Sequence, residues 1–152
     1  MVGTAVLAIS LSSSQQPAAA EMSKEIRSEA AKTYQIQVVT GTASGAGTDA
    51  RVWLFLRGNL GGTATKSGVM ELDSASNNFE SGKTDLFNRT IEDLGTITQI
   101  CLRRDDSGLF DEWFVADARV ISGEFNNAVV YGGQFGGWMP ENTWICRRAT
   151  RR

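Results

Sequence analysis

Between Tyr34 and Met139 the chain keeps returning to one pattern: short runs with an apolar residue at every second position, broken by clusters of Gly, Asn, Asp and Ser. A period of two is the signature of a strand with one buried face, because successive side chains point to opposite sides of a sheet. In YQIQVVT, Tyr34, Ile36 and Val38 share a face; in RVWLFLR, Val52, Leu54 and Leu56 do. TKSGVMEL, DLFNRTI, TITQICLR and EWFVADARVIS follow, separated by SNN, ESG, DLG and DDSG, and NAVVYGGQFGGWM supplies one or two more. Sheets with one apolar face must bury it against a second layer, so this spacing predicts an all-β, two-sheet antiparallel sandwich. Sixteen glycines and only two prolines suit tight turns and uninterrupted ladders.

The ends read differently. Residues 1–20 carry no charged side chain, and Val2 to Leu11 form an apolar run followed by polar residues and the small Ala18 to Ala20. That run is too short to span a bilayer and resembles a signal peptide, although a basic start is missing. The expectation is a secreted or extracytoplasmic protein; a disordered leader on a cytoplasmic protein, or an inexact gene start, is the alternative. Residues 21–33 contain helix formers, yet Met22, Ile26 and Ala30 offer only a thin apolar stripe, so a short helical linker is expected there. Residues 140–152 read as a basic C-terminal tail, solvated or free to touch an acidic surface.

Charge and residue content narrow the function. Setting aside the four arginines among Arg147 to Arg152 leaves 11 basic residues against 17 acidic ones, a net of about minus six on the body. A nucleic-acid binder needs a basic face on its folded domain, so no nucleic-acid partner is expected. There is no histidine in the chain. Serine–histidine triads and imidazole-ligated zinc or iron are therefore excluded, and no catalysis is expected. Cys101 and Cys146 lack the spacing of a zinc site. Cys101 alternates with Ile100 and Leu102 and so faces away from the core. Cys146 is its one candidate partner, and spacing alone does not say whether the two sulfurs meet.

Gly45 to Gly58, GAGTDARVWLFLRG, places a glycine-rich turn and Asp49 directly before a strand, which puts a carboxylate on a loop at the mouth of a sheet. The ordered set YQIQVVTGTASGAGTDARVWLFLRG, NNFESGKTDLF, EDLGTITQICLRRDDSG and EWFVADARV resembles the PLAT domain, also called the lipoxygenase homology domain, over about residues 34–139. The resemblance implies an eight-stranded sandwich of two four-stranded sheets. It also implies a binding role, toward membrane lipid, often with calcium, or toward a protein partner.

Carried over residue by residue, the family's calcium loops match Gly47 and Asp49, then Asn77, Asn78 and Glu80, then Asp105. In the last turn Arg104 stands where the family has histidine, and Asp106 where it has asparagine. Calcium takes six to eight oxygen ligands in a flexible shell, which carboxylates, amides and main-chain carbonyls of adjacent loops can supply. The alternative is that these are ordinary turn formers. Leu109 and Phe110 follow the Asp105 turn and are candidates for insertion between lipid headgroups, unless Phe110 folds back onto the core. The expected function is a stand-alone, non-catalytic module that associates with lipid or membrane surfaces with calcium. The alternatives are a metal-independent protein-interaction module, or the accessory domain of a lipoxygenase or lipase.

Overall fold

The computed structural model describes residues 31–123 and 127–152, all of them strand, turn or loop. The candidate signal peptide and nearly all of the candidate helical linker lie outside the described residues. Ten strands follow in order: β1 (Ala31–Thr40), β2 (Val52–Leu60), β3 (Thr63–Lys66), β4 (Met70–Glu71), β5 (Thr84–Glu92), β6 (Thr96–Arg104), β7 (Phe114–Ser122), β8 (Val129–Trp138), β9 (Ile145–Arg148) and β10 (Thr150–Arg151). One sheet runs β10-β8-β7-β1-β5; the other runs β3-β2-β6-β9, with β4 also paired to β2. The two-sheet antiparallel sandwich is as the alternation predicts. Its count differs from eight only through β4 and β10, two-residue ladders that add one strand to each sheet.

The core lies between the sheets. Tyr34, Ile36 and Val38 of β1 and Val52, Leu54 and Leu56 of β2 are all buried, and Ile100 and Leu102 of β6 join them with Val115, Ala118 and Val120 of β7. Among the described residues the buried side-chain polar atoms are all paired, as they must be where water cannot reach. The Tyr34 hydroxyl accepts the Leu94 N–H at 2.9 Å and donates to Asp93 Oδ1 at 3.4 Å. Burial pushes its ionisation upward. Trp113, fully buried, donates its indole N–H to Thr40 Oγ1 at 3.1 Å.

Two boundaries are corrected. Ala31 to Thr33, assigned above to a helical linker, continue β1. Strand pairing overrides the weak helix preference of those residues. Residues 140–152 are not a free tail: β9 pairs with β6 and β10 pairs with β8, so the segment joins an edge of each sheet. Cys101 and Cys146 are direct register partners joined by a disulfide. Cys101 faces outward, as its alternation with Ile100 and Leu102 requires. It is nonetheless buried, outside the core cluster, beneath its own bridge and beside Phe55.

Arg152 closes the C terminus with a bidentate contact to Asp117, at 2.6 and 3.0 Å, and Arg119 Nε reaches the same carboxylate at 2.9 Å. Burial works to raise the Asp117 pKa, but the hydrogen bonds and charges of Arg152 and Arg119 outweigh it and hold the carboxyl below its usual value. A depressed folded pKa means that the unfolded chain takes up this proton first. The contribution is therefore complete above the ordinary aspartate pKa of about 3.9 and is lost as pH falls through the lower folded value. Asp117→Asn should flatten the acid limb of stability below about pH 4, read as urea midpoint against pH. An unchanged acid limb would mean that other carboxylates set it.

Candidate functional site

Three loops meet at the end of the sandwich where β2 begins. The first, Thr42 to Arg51, leads into β2; the second, Asp73 to Lys83, joins β4 to β5; the third, Asp105 to Glu112, joins β6 to β7. Close backbone approach brings them together, and two glycines permit it. A Cβ on Gly47 would lie 2.9 Å from the Phe79 carbonyl oxygen, and one on Gly108 would lie 2.8 Å from Asp49 Cβ. Main-chain bonds complete the join: the Thr48 N–H donates to Phe79 O at 3.0 Å and the Asp49 N–H to Phe110 O at 2.7 Å. The Thr48 hydroxyl, buried, reaches Asp111 O at 2.9 Å. The first loop is thus the keystone between the other two.

This arrangement leaves an open cleft on each side of Asp49. One, of about 300 Å³, is lined by Asp49, Glu71, Asp73, Asn77 and Asn78 among others. The other, of about 400 Å³, is lined by Asp49, Glu80, Asp111 and Glu112, with Leu109 and Phe110 on its rim. Asp49 is the acid common to both. It is exposed, and among the described residues its carboxylate accepts no hydrogen bond and forms no ion pair. Asn78 Oδ1 accepts from Ser74 Oγ at 2.7 Å and its amide lies 3.4 Å from Asp73 Oδ1. Asn77 donates to Glu80 Oε1 at 2.8 Å, and among the described residues its own amide oxygen accepts no side-chain hydrogen bond.

The carried-over residues therefore divide. Gly47 and Asp49 form the centre, Asn77 and Asn78 line the first cleft, and Glu80 lines the second. Asp105 lines neither: its Oδ1 accepts the N–H groups of Arg51 and Ser107, each at 3.0 Å, together with the Ser107 hydroxyl. Desolvation works to raise its pKa, yet the hydrogen bonds from Ser107 and Arg51 prevail and keep it low. Its work is to close the third loop. Asp73, Asp111 and Glu112 were not singled out from sequence, because an acid in a loop has no pattern of its own. Only Asp73's place two residues after β4 hints at it.

Arg104, which stands where the family has histidine, is not a solvated charge. It is buried, donates through Nε to Met139 O at 2.8 Å and through Nη1 to Asp105 O at 3.1 Å, and lies 3.7 Å from Asp111 Oδ2. Arg103 turns to the outer sheet face, over the Trp53 ring. Among the described residues no three acidic, histidine or cysteine side chains are close enough to ligate a metal by themselves. The donors around Asp49 are carboxylates, amides and carbonyls. That all-oxygen set fits a hard cation such as calcium and fits neither zinc nor copper. Leu109 and Phe110, 92% and 72% exposed, project beside this acid-lined end rather than onto the core.

A family profile for the PLAT/LH2 domain matches residues 34–138. Human lipoxygenase homology domain-containing protein 1 is 37% identical over 87 residues, which are 57% of this chain and 4% of that protein. This chain therefore spans a small fraction of the curated relatives that it matches. Among solved structures, coral 8R-lipoxygenase, described as activated by calcium via a C2-like domain, superposes with a TM-score of 0.65 at 27% identity, covering 77% of this chain and 17% of the enzyme. A calcium-dependent 11R-lipoxygenase superposes with a TM-score of 0.62 at 28% identity, covering 78% of this chain and 17% of the enzyme.

Proposed function

Because the chain belongs to the PLAT/LH2 domain family, we propose that it is a non-catalytic module that docks its three-loop end on a membrane surface with the help of calcium. The observation that carries this reading is the pairing of exposed Leu109 and Phe110 with the acid-lined clefts around Asp49. Exposed apolar tips gain free energy by entering the headgroup region. A divalent cation held by Asp49 and its neighbours would offset their negative charge and bridge to lipid phosphate. The calcium dependence of the two lipoxygenases lends support to the ion's place here. The Cys101–Cys146 disulfide supports an extracytoplasmic location, since such bonds persist in oxidising compartments.

Co-sedimentation of the chain with neutral and anionic liposomes, with calcium and with excess chelator, tests the proposal. Calcium-dependent pelleting is expected. Asp49→Asn combined with Asp73→Asn should remove the calcium dependence with little change in fold, since both acids sit in solvated loops. Leu109→Ser with Phe110→Ser should weaken lipid binding by roughly tenfold or more, because each loses about 1.5–3 kcal/mol of burial on insertion, while calcium affinity is kept. If neither variant changes pelleting, the loop end is not the docking surface. Absence of pelleting under every condition would favour a protein partner instead.

A further inference from the structure

The outer face of the β3-β2-β6-β9 sheet carries a second feature, away from the loop end. Lys66 pairs in register with Arg57, Arg57 with Gln99, and Gln99 with Arg148. One row crossing all four strands thus presents three cations and an amide on the same face. At a strand spacing of about 4.8 Å the row is about 14 Å wide. Arg57 lies five residues beyond Val52, where β2 leaves the loop end, so roughly 16 Å of strand separates the row from Asp49's end of the sheet.

Three observations set this row apart from an ordinary solvated surface. Arg57 and Lys66 are like charges directly opposite each other, an arrangement that disfavours the ladder on its own. Among the described residues none of Arg57, Lys66 and Arg148 makes an ion pair, although acidic residues outnumber basic ones in the chain. The row is also supported from below. Phe55, buried beside the disulfide, sits 4.6 Å from Lys66 Nζ and 5.7 Å from the Arg57 guanidinium carbon, and Trp144 packs edge-on against it at 4.7 Å. Cations held over an aromatic ring keep their outer N–H groups free to donate. The row lines an open groove of about 640 Å³, whose floor includes Thr98 and Gly58.

We infer that this groove is an anion site for a compact ligand bearing two or more phosphate or sulfate groups. Lys66 and Arg57 would take one group, Arg148 a second, and Gln99 between them would donate its amide. Arginine forks and a lysine ammonium match tetrahedral oxyanions, and charge-assisted bonds to several groups at once give selectivity over chloride. The groove uses no residue of the loop end and needs no calcium.

Titration of the full chain with inositol hexakisphosphate, in chelator and at physiological salt, tests the inference, with vesicles containing a phosphorylated inositol lipid as a second arm. Binding in the first arm identifies a soluble ligand; binding to vesicles alone identifies a lipid headgroup; either supports the site. Arg57→Gln with Arg148→Gln should weaken whichever binding occurs by about tenfold or more, with an unchanged melting temperature. Lys83→Gln with Arg151→Gln removes the same charge elsewhere and should change it less than about threefold, as expected for long-range attraction screened by salt. Leu109→Ser with Phe110→Ser should leave the soluble titration untouched, which separates this site from the loop end. Failure of the chain to bind in both arms, or equal losses in the two charge-removal variants, would overturn the inference.

Discussion

Replacing Trp113 by alanine should cost about 3–5 kcal/mol of stability, lower the melting temperature by roughly 10 °C or more, and disable the loop end as well. Trp113 is the largest fully buried side chain in the molecule's described part, and it sits directly beneath the three loops. Its ring meets Phe79 edge-on at 4.9 Å, and its N–H holds Thr40 Oγ1. The backbone around it ties the same region: Phe114 N–H donates to Ala46 O, Gly41 N–H to Phe114 O, and Met139 N–H to Trp113 O. Truncation opens a cavity under Phe79 and strands a buried hydroxyl, two costs that add. Trp113→Phe keeps most of the ring and should lose clearly less. Trp138→Ala, at a half-exposed position in edge contact with Phe114, should cost under about 1 kcal/mol. Thermal and urea unfolding of the three variants gives the ranking. A Trp113→Ala protein that melts within a few degrees of wild type would show that the loops, rather than the ring, carry this end of the core.

Most of the sandwich was legible because its strands obey a local rule. Tyr34, Ile36 and Val38, or Val52, Leu54 and Leu56, alternate whatever they pair with, so their inner face can be read before their partners are known. The C-terminal segment hides the same rule. In β9 the inward positions are Ile145 and Arg147, the latter lying over the Phe135 ring, so an arginine breaks the alternation at the point where it would have shown. What holds the segment is a covalent bond to Cys101, a non-local fact that spacing does not encode. The site divides along the same line. Asp49 could be found because glycines flag a tight approach next to a strand. Asp73 and Asp111 could not, because only the fold sets them on either side of it. Asp105 shows the converse: an acid that matches a ligand position can be consumed by its own turn, where Ser107 and Arg51 hold one carboxylate oxygen.

Reducing the Cys101–Cys146 bond should destabilise the domain by up to about 4 kcal/mol. Its two ends are 45 residues apart, and in the chain-entropy account that loop length gives about 4 kcal/mol at room temperature. The bridge does more than shorten the unfolded chain. β9 has only four residues and lies at the edge of its sheet, where the ladder to β6 would otherwise be its main tether. Ile145 packs against the core from this strand, Arg148 stands opposite Gln99, and the chain continues from it through buried Ala149 to the Arg152 contact with Asp117. Loss of the bridge should therefore release the last strands before the remainder unfolds, seen as fast amide exchange confined to residues 144–152. It should also weaken any anion binding that depends on Arg148, while the loop end, whose three loops lead into β2, β5 and β7, keeps its liposome response. The Cys101→Ala, Cys146→Ala double variant should match the reduced protein and be insensitive to reductant. Equal melting temperatures for the oxidised and reduced protein would mean that β9 is held by its ladder and by Ile145, and that the disulfide reports the compartment without stabilising the fold.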